Sequence, residues 1–308
     1  MFKDCTKQIF IYLFAIVLSV VAFAEPIPQN VRRCIVYLVK PEPDHNKPIG
    51  TGFFVGHKYS NKSDNTYIFL VTAKHVLLDN KGKRHSRLLV RMNEKSTTQA
   101  KDFDILNSNR WFFHKDVNSV DIAVQPLLPK DGDFLLVSSK DFVTNDLVNT
   151  KQIGIGDEVF YSGLLSYHVG REKIAPIVRF GRLALVTDEK TIDGKYYHFI
   201  DAGNIPGHSG SPVFLWATPT RSSRGFVVGS RIFGLYGIVS GALEYNKQLK
   251  VTMPKPTTKK PTQMPVPIDA RSGGITAVVP VQYLVEILES PPLLNVLGIK
   301  NVQLNKND

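Results

Sequence analysis

Pro206-Gly207-His208-Ser209-Gly210-Ser211-Pro212 is the most informative stretch of the chain. A serine nucleophile needs a base nearby and backbone N–H groups aimed at a developing oxyanion. The glycines around Ser209 permit a tight turn that presents such groups, and Gly207, with no side chain, lets its amide lie next to a carbonyl. Alone, the run also reads as an ordinary Gly/Ser/Pro turn. Two further segments change its weight. Leu70-Val71-Thr72-Ala73-Lys74-His75-Val76 is a buried-strand pattern running into a histidine. Ser119-Val120-Asp121-Ile122-Ala123-Val124 sets an aspartate at the head of an apolar strand. A nucleophile, a base and a carboxylate to orient the base thus occur in three separate segments.

The surrounding chain reads as strands almost throughout. Segments 35–39, 52–55, 67–71, 88–92 and 121–125 are short, rich in β-branched and aromatic residues, and separated by polar or Gly/Pro stretches. A second series covers 158–162, 177–185, 197–201, 212–216, 226–228, 235–239 and 275–279, with 131–150 as a connector. This spacing favours a sandwich or closed barrels over alternating βαβ units. One helix is expected after Pro280, where Val281, Leu284, Val285 and Leu288 fall on one face. Prolines 254, 256, 261, 265 and 267, among Lys255, Lys259 and Lys260, make 253–270 an extended surface insertion.

Of the 308 residues 43% are hydrophobic, which excludes a disordered chain, and 22 glycines are far too few for collagen. The first 24 residues read as an export signal. Lys3 and Lys7 precede a 16-residue apolar run that ends in Ala22-Phe23-Ala24, shorter than the roughly 18–20 residues a spanning helix needs. Cleavage after Ala24 leaves a charge of +10 and Cys34 alone, so no internal disulfide can form. Cys34 itself reads as a small buried residue. The basic side chains are scattered except around 255–260, and no aromatic–basic platform occurs, so nucleic acid is not an expected partner. The eight histidines show no metal-ligand spacing, and no cofactor is expected.

The order His75, Asp121, Ser209 is that of the chymotrypsin plan rather than of the subtilisin or α/β-hydrolase plans. With Thr51-Gly52-Phe53-Phe54-Val55, Gly237-Ile238-Val239-Ser240-Gly241 and Gly274-Ile275-Thr276-Ala277 added, the chain resembles trypsin-like serine peptidases of the chymotrypsin fold. It is closest in style to the bacterial HtrA/Deg and glutamyl-endopeptidase-like branch. The resemblance covers roughly residues 30 to 290 and implies an all-β fold of two six-stranded antiparallel barrels with a C-terminal helix. The implied organisation is a signal peptide at 1–24, an N-terminal barrel at 25–140 with His75 and Asp121, a C-terminal barrel at 141–292 with Ser209, and a tail at 293–308. Because the tail is short, no appended peptide-binding (PDZ) domain is expected.

By the same resemblance Ser209 is the nucleophile, His75 the general base and Asp121 its orienting carboxylate. The amides of Gly207 and Ser209 form the oxyanion hole, and the Ser240 hydroxyl supports Asp121. Gly203, Ser240, Gly241, Ala242 and Thr276 contact substrate. The implied protein is an exported serine endopeptidase, periplasmic or secreted, acting on proteins or peptides, without stable membrane insertion and with oligomers allowed. The alternative is a catalytically inactive pseudo-peptidase that acts as a protein-binding module, against which the retention of all three residue types argues. One departure stands beside the nucleophile. His208 occupies the place of the aspartate that pairs with a newly freed N-terminus in pancreatic-type enzymes, so that ion pair cannot form. Its side chain is expected to face solvent or the pocket rim. Without a carboxylate at Gly203 a basic cleavage residue is disfavoured, unless Asp201 takes that place; a small or medium apolar one is expected, and Thr276 keeps an acidic one open.

Overall fold

The computed structural model describes residues 27–60, 65–105, 110–170, 172–217, 232–244 and 272–299. The signal segment, the strand expected at 226–228 and the proline–lysine insertion lie outside them. After a short helix α1 (Gln29–Arg33), eight strands form the first sheet: β1 (Ile35–Pro41), β2 (Asn46–His57), β3 (Tyr67–Thr72), β4 (Leu89–Asn93), β5 (Ala100–Asp104), β6 (Phe112–Phe113), β7 (Ala123–Pro126) and β8 (Val137–Ser138). Their spatial order is β5-β4-β1-β2-β3-β7-β6, with β8 running parallel to β2. The expected connector holds β8 and a helix, α2 (Asn145–Lys151). Six further strands, β9 (Glu158–Gly163), β10 (Ile177–Leu185), β11 (His198–Asp201), β12 (Pro212–Ala217), β13 (Ile232–Glu244) and β14 (Ser272–Pro280), close into an antiparallel barrel.

The two-unit, mostly β architecture is the one implied by the sequence, and it differs in detail in the first unit, an eight-strand sheet whose path ends on β5 and β6. β5 reads Ala-Lys-Asp-Phe-Asp, and its charges suit an edge that takes no further partner. The terminal helix α3 (Val281–Leu288) forms as its periodicity predicts, burying Val281, Leu284, Ile287 and Leu288. A second short helix, α4 (Pro291–Val296), occupies part of the expected tail and buries Leu293.

Period-two alternation divides each barrel strand between two cores. Val159 and Tyr161 point inward with Leu183, Ile200, Val213 and Val278. Phe160, between them, points outward and stacks on Phe214, with ring centroids 5.4 Å apart, in the core shared with the first sheet and α3.

Where the two units meet, Thr51 of β2 is fully buried. Its amide donates to the Ser209 carbonyl (2.9 Å). Its hydroxyl donates to the Gly207 carbonyl (2.7 Å) and accepts from the Leu164 amide (3.0 Å). Its own carbonyl accepts from the Thr72 hydroxyl (2.7 Å). Gly210 closes over this junction at φ +87°, where a Cβ would lie 2.0 Å from the Thr51 carbonyl oxygen, so only glycine fits. A near-isosteric Thr51→Val change would leave the Gly207 carbonyl and the Leu164 amide unpaired in a dry site. The expected loss is about 2–5 kcal/mol of unfolding free energy, with Thr51→Ser retaining most of it. Denaturant unfolding checks this; a Thr51→Val protein as stable as the parent would show that the junction carries no weight.

Candidate active site

Strand pairing brings the histidine to the aspartate. Thr72 at the end of β3 lies opposite Ala123 at the start of β7, so the residues just beyond β3 and just before β7 are neighbours. His75 sits in the 3-10 turn that follows β3, and Asp121 lies two residues before the start of β7. His75 Nδ1 is 2.6 Å from Asp121 Oδ2, and the His75 amide donates to Asp121 Oδ1 (2.9 Å). Ser240 donates its hydroxyl to the same Oδ2 (2.5 Å) and meets the Tyr197 hydroxyl at 3.0 Å. The Asp121 side chain is 8% exposed and that of His75 47%, so the carboxylate is enclosed while the imidazole faces the outside. Burial by itself would raise the Asp121 carboxyl. The hydrogen bond and charge of His75, the Ser240 hydroxyl and the His75 amide outweigh it and hold the group below the ordinary aspartate value.

Ser209 comes from the other unit, on the turn that leads into β12. Its hydroxyl donates to the Ser240 carbonyl at 2.9 Å rather than to His75. Around it, the amides of His208, Gly210 and Ser211 donate to the carbonyls of Ile205, Val239 and His208. Those of Gly207 and Ser209 have no acceptor among the described residues. Gly207 sits at φ +102°, a conformation suited to glycine, while its carbonyl is held by Thr51. The turn thus leaves two amides uncommitted, one of them the serine's own.

The expected substrate contacts separate into two groups. Ser240, Gly241 and Ala242 line a cleft of about 520 Å³ with Tyr197 and Phe199. His75, Lys40 and Lys81 line a second cleft of about 450 Å³. Thr276 is fully buried, its hydroxyl donating to the Ala202 carbonyl (2.7 Å), so it braces the segment before Gly203. Asp201 is exposed at the end of β11 and does not substitute for a carboxylate at Gly203.

The family model described as "Trypsin-like peptidase domain" matches residues 50–218. Among solved structures, the chain is similar to the HtrA-type protease AlgW with a tripeptide, at 15% identity and a TM-score of 0.45, covering 85% of this chain and 61% of that one. A variant of AlgW with a tripeptide matches at 16% identity with the same TM-score and coverage. AlgW with a decapeptide matches at 14% identity and a TM-score of 0.44, covering 89% of this chain and 74% of that one. In the first two, then, this chain spans about 61% of the length of the protein it matches. No curated protein matches.

His208 is not where its neighbours in the sequence suggest. It is fully buried, packed edge-on against Tyr161 with ring centroids 5.1 Å apart, rather than facing solvent or the pocket rim. The Ile205 amide donates to its Nδ1 (3.3 Å), which places the ring proton on Nε2. The Tyr161 hydroxyl donates to the Gly203 carbonyl and lies 3.1 Å from this Nδ1. Desolvation, and secondarily the charge of Arg179, depress His208 from 6.5 to about 4. A polar residue in a Gly/Ser turn carries no local signal for burial; the aromatic face that receives it comes from β9, far away in sequence. Between pH 6.5 and 4 the unfolded chain binds a proton at this residue that the native protein refuses, so stability falls as the pH is lowered through that window. From pH 7 to 5 the contribution is about 2 kcal/mol. A His208→Gln protein is expected to lose correspondingly less stability over the same interval, measured by denaturant unfolding at both pH values; equal losses would contradict the assignment.

Proposed function

We propose that this chain, which belongs to the trypsin-like peptidase domain family, is a serine endopeptidase that cleaves peptide bonds through an acyl-enzyme on Ser209. The observation that carries the reading is the joint one made above: an enclosed carboxylate holding an accessible imidazole, beside a serine flanked by two uncommitted amides. Asp121 accepts the Nδ1–H of His75, which leaves Nε2 as the basic atom facing the cleft. Rotation of the Ser209 hydroxyl away from the Ser240 carbonyl delivers its proton to Nε2 as the oxygen attacks the substrate carbonyl. The amides of Gly207 and Ser209 receive the resulting oxyanion, where a preorganised donor is worth about 10²–10³ in turnover. His75 then protonates the leaving amine, and a water deprotonated by the same imidazole releases the acyl group.

The segment Ser240–Ala242, beyond the pairing of β13 with β12, would pair with the substrate backbone as an added strand, with side chains settling in the adjoining clefts. We assign the N-terminal unit to 25–140 and the C-terminal unit to 141–292. The leader at 1–24 supports export to the periplasm or the medium, with peptides and proteins as substrates.

The test is digestion of a mixture of denatured proteins, with new termini mapped by mass spectrometry. The parent protein is expected to generate new termini, and Ser209→Ala and His75→Ala to generate none above background. Asp121→Asn is expected to fall by about 10⁴ in kcat, because the wrong imidazole tautomer is then held. Identical termini from parent and Ser209→Ala would reject the peptidase reading and bring forward the protein-binding one.

A further inference from the structure

We propose that Arg179 makes this site selective for an acidic residue, aspartate or glutamate, immediately before the scissile bond. The proposal rests on the reading of Ser209 as nucleophile and on the family resemblance, which implies that Gly203, six residues earlier, lines the pocket for that residue. Arg179 lies on β10 directly opposite Tyr161 of β9, and Tyr161 is an interior residue of the barrel. Leu183, further along β10, is interior as well, so Arg179, four residues before it, shares the inward face. A side chain built at Gly203 would meet the Arg179 guanidinium, with Cβ only 2.6 Å from Nη2. The cation therefore stands in the space that a residue at 203 would fill.

Its surroundings leave that charge available. Arg182 on the same strand pairs with Glu158 at 3.4 Å. Arg179 has no carboxylate within 4.0 Å among the described residues. Asp201 is turned out to solvent, and the Thr276 hydroxyl is committed to Ala202, so neither completes the pocket as a neutral or anionic wall. His208 is neutral at physiological pH and adds no second cation. A half-buried guanidinium beside Gly203, with no carboxylate within 4.0 Å among the described residues, presents a planar fork that matches a carboxylate, and such charge-assisted bonds are about twice as strong as neutral ones.

The experiment measures binding without turnover. Two peptides identical except for Glu or Gln before the cleavage position are titrated onto Ser209→Ala protein by fluorescence anisotropy. The Glu peptide is expected to bind about tenfold or more tightly, as a partly desolvated ion pair would give. In the same background Arg179→Gln is expected to abolish the difference and Arg179→Lys to retain part of it, since lysine keeps the charge but not the fork. Equal or undetectable binding of both peptides, or a preference that survives Arg179→Gln, would overturn the proposal. Turnover of the same pair by the parent protein separates the two readings. Cleavage without an acidic preference removes the role of Arg179 and leaves the peptidase standing; acidic selectivity in binding with no cleavage does the reverse.

Discussion

A single threonine ties the two halves of this molecule together at the point where their chemistry has to meet. Thr51 is supplied by the first sheet, yet its amide and hydroxyl hold the carbonyls of Ser209 and Gly207 in the second unit. Holding those carbonyls fixes the 207–208 and 209–210 peptide planes, which flank the plane that carries the Ser209 amide. The same hydroxyl receives the Leu164 amide just beyond β9, and the Thr51 carbonyl takes the hydroxyl of Thr72, three residues before His75. One buried side chain thus connects the strand that carries the imidazole with the turn that carries the serine. A site assembled from two units needs such a connection, because a misplacement of about 1 Å between reacting groups can cost 10²-fold in rate.

The second constraint is the enclosure of Asp121. Removing a carboxylate from water is costly unless its oxygens are satisfied, and here both are: Oδ1 by the His75 amide, Oδ2 by the His75 ring and Ser240. Ser240 again comes from the second unit, so the carboxylate of the first is completed only when the two are joined. Its backbone carbonyl meanwhile holds the resting Ser209 hydroxyl. Ser240 therefore touches both ends of the constellation, and Tyr197 steadies its hydroxyl from β11's flank.

Much of this was legible in the chain before its structure. The strands that form the central layers carry the β-branched and aromatic runs that bury well, and the helix after Pro280 follows its apolar period. His75, Asp121 and Ser209, the residues proposed to react, each sit in a short local pattern. The misses share one physical cause, which is dependence on partners remote in sequence. β5 lacks an apolar run and β6 is only two residues long, and they exist by pairing with β4 and β7. His208 is drawn inward by Tyr161, and Thr276 by the Ala202 carbonyl. Arg179 looks like any surface arginine until the β9–β10 register turns it into the barrel beneath Gly203. Thr51 belongs to a recognisable motif, but nothing local in it foretells that its hydroxyl bridges two units.

The central claim is that the Thr51 junction holds the 207–209 turn in a reactive shape, and the rate of Ser209 acylation tests it most directly. Parent, Thr51→Val and Thr51→Ser proteins, each confirmed folded, would be treated with a fluorophosphonate and followed by intact-mass spectrometry with the modified residue mapped. We predict a single adduct on Ser209 of the parent, a rate lower by about 10²-fold in Thr51→Val, and partial recovery in Thr51→Ser. Labelling of folded Thr51→Val at the parental rate, or an adduct on any residue other than Ser209, would contradict the account.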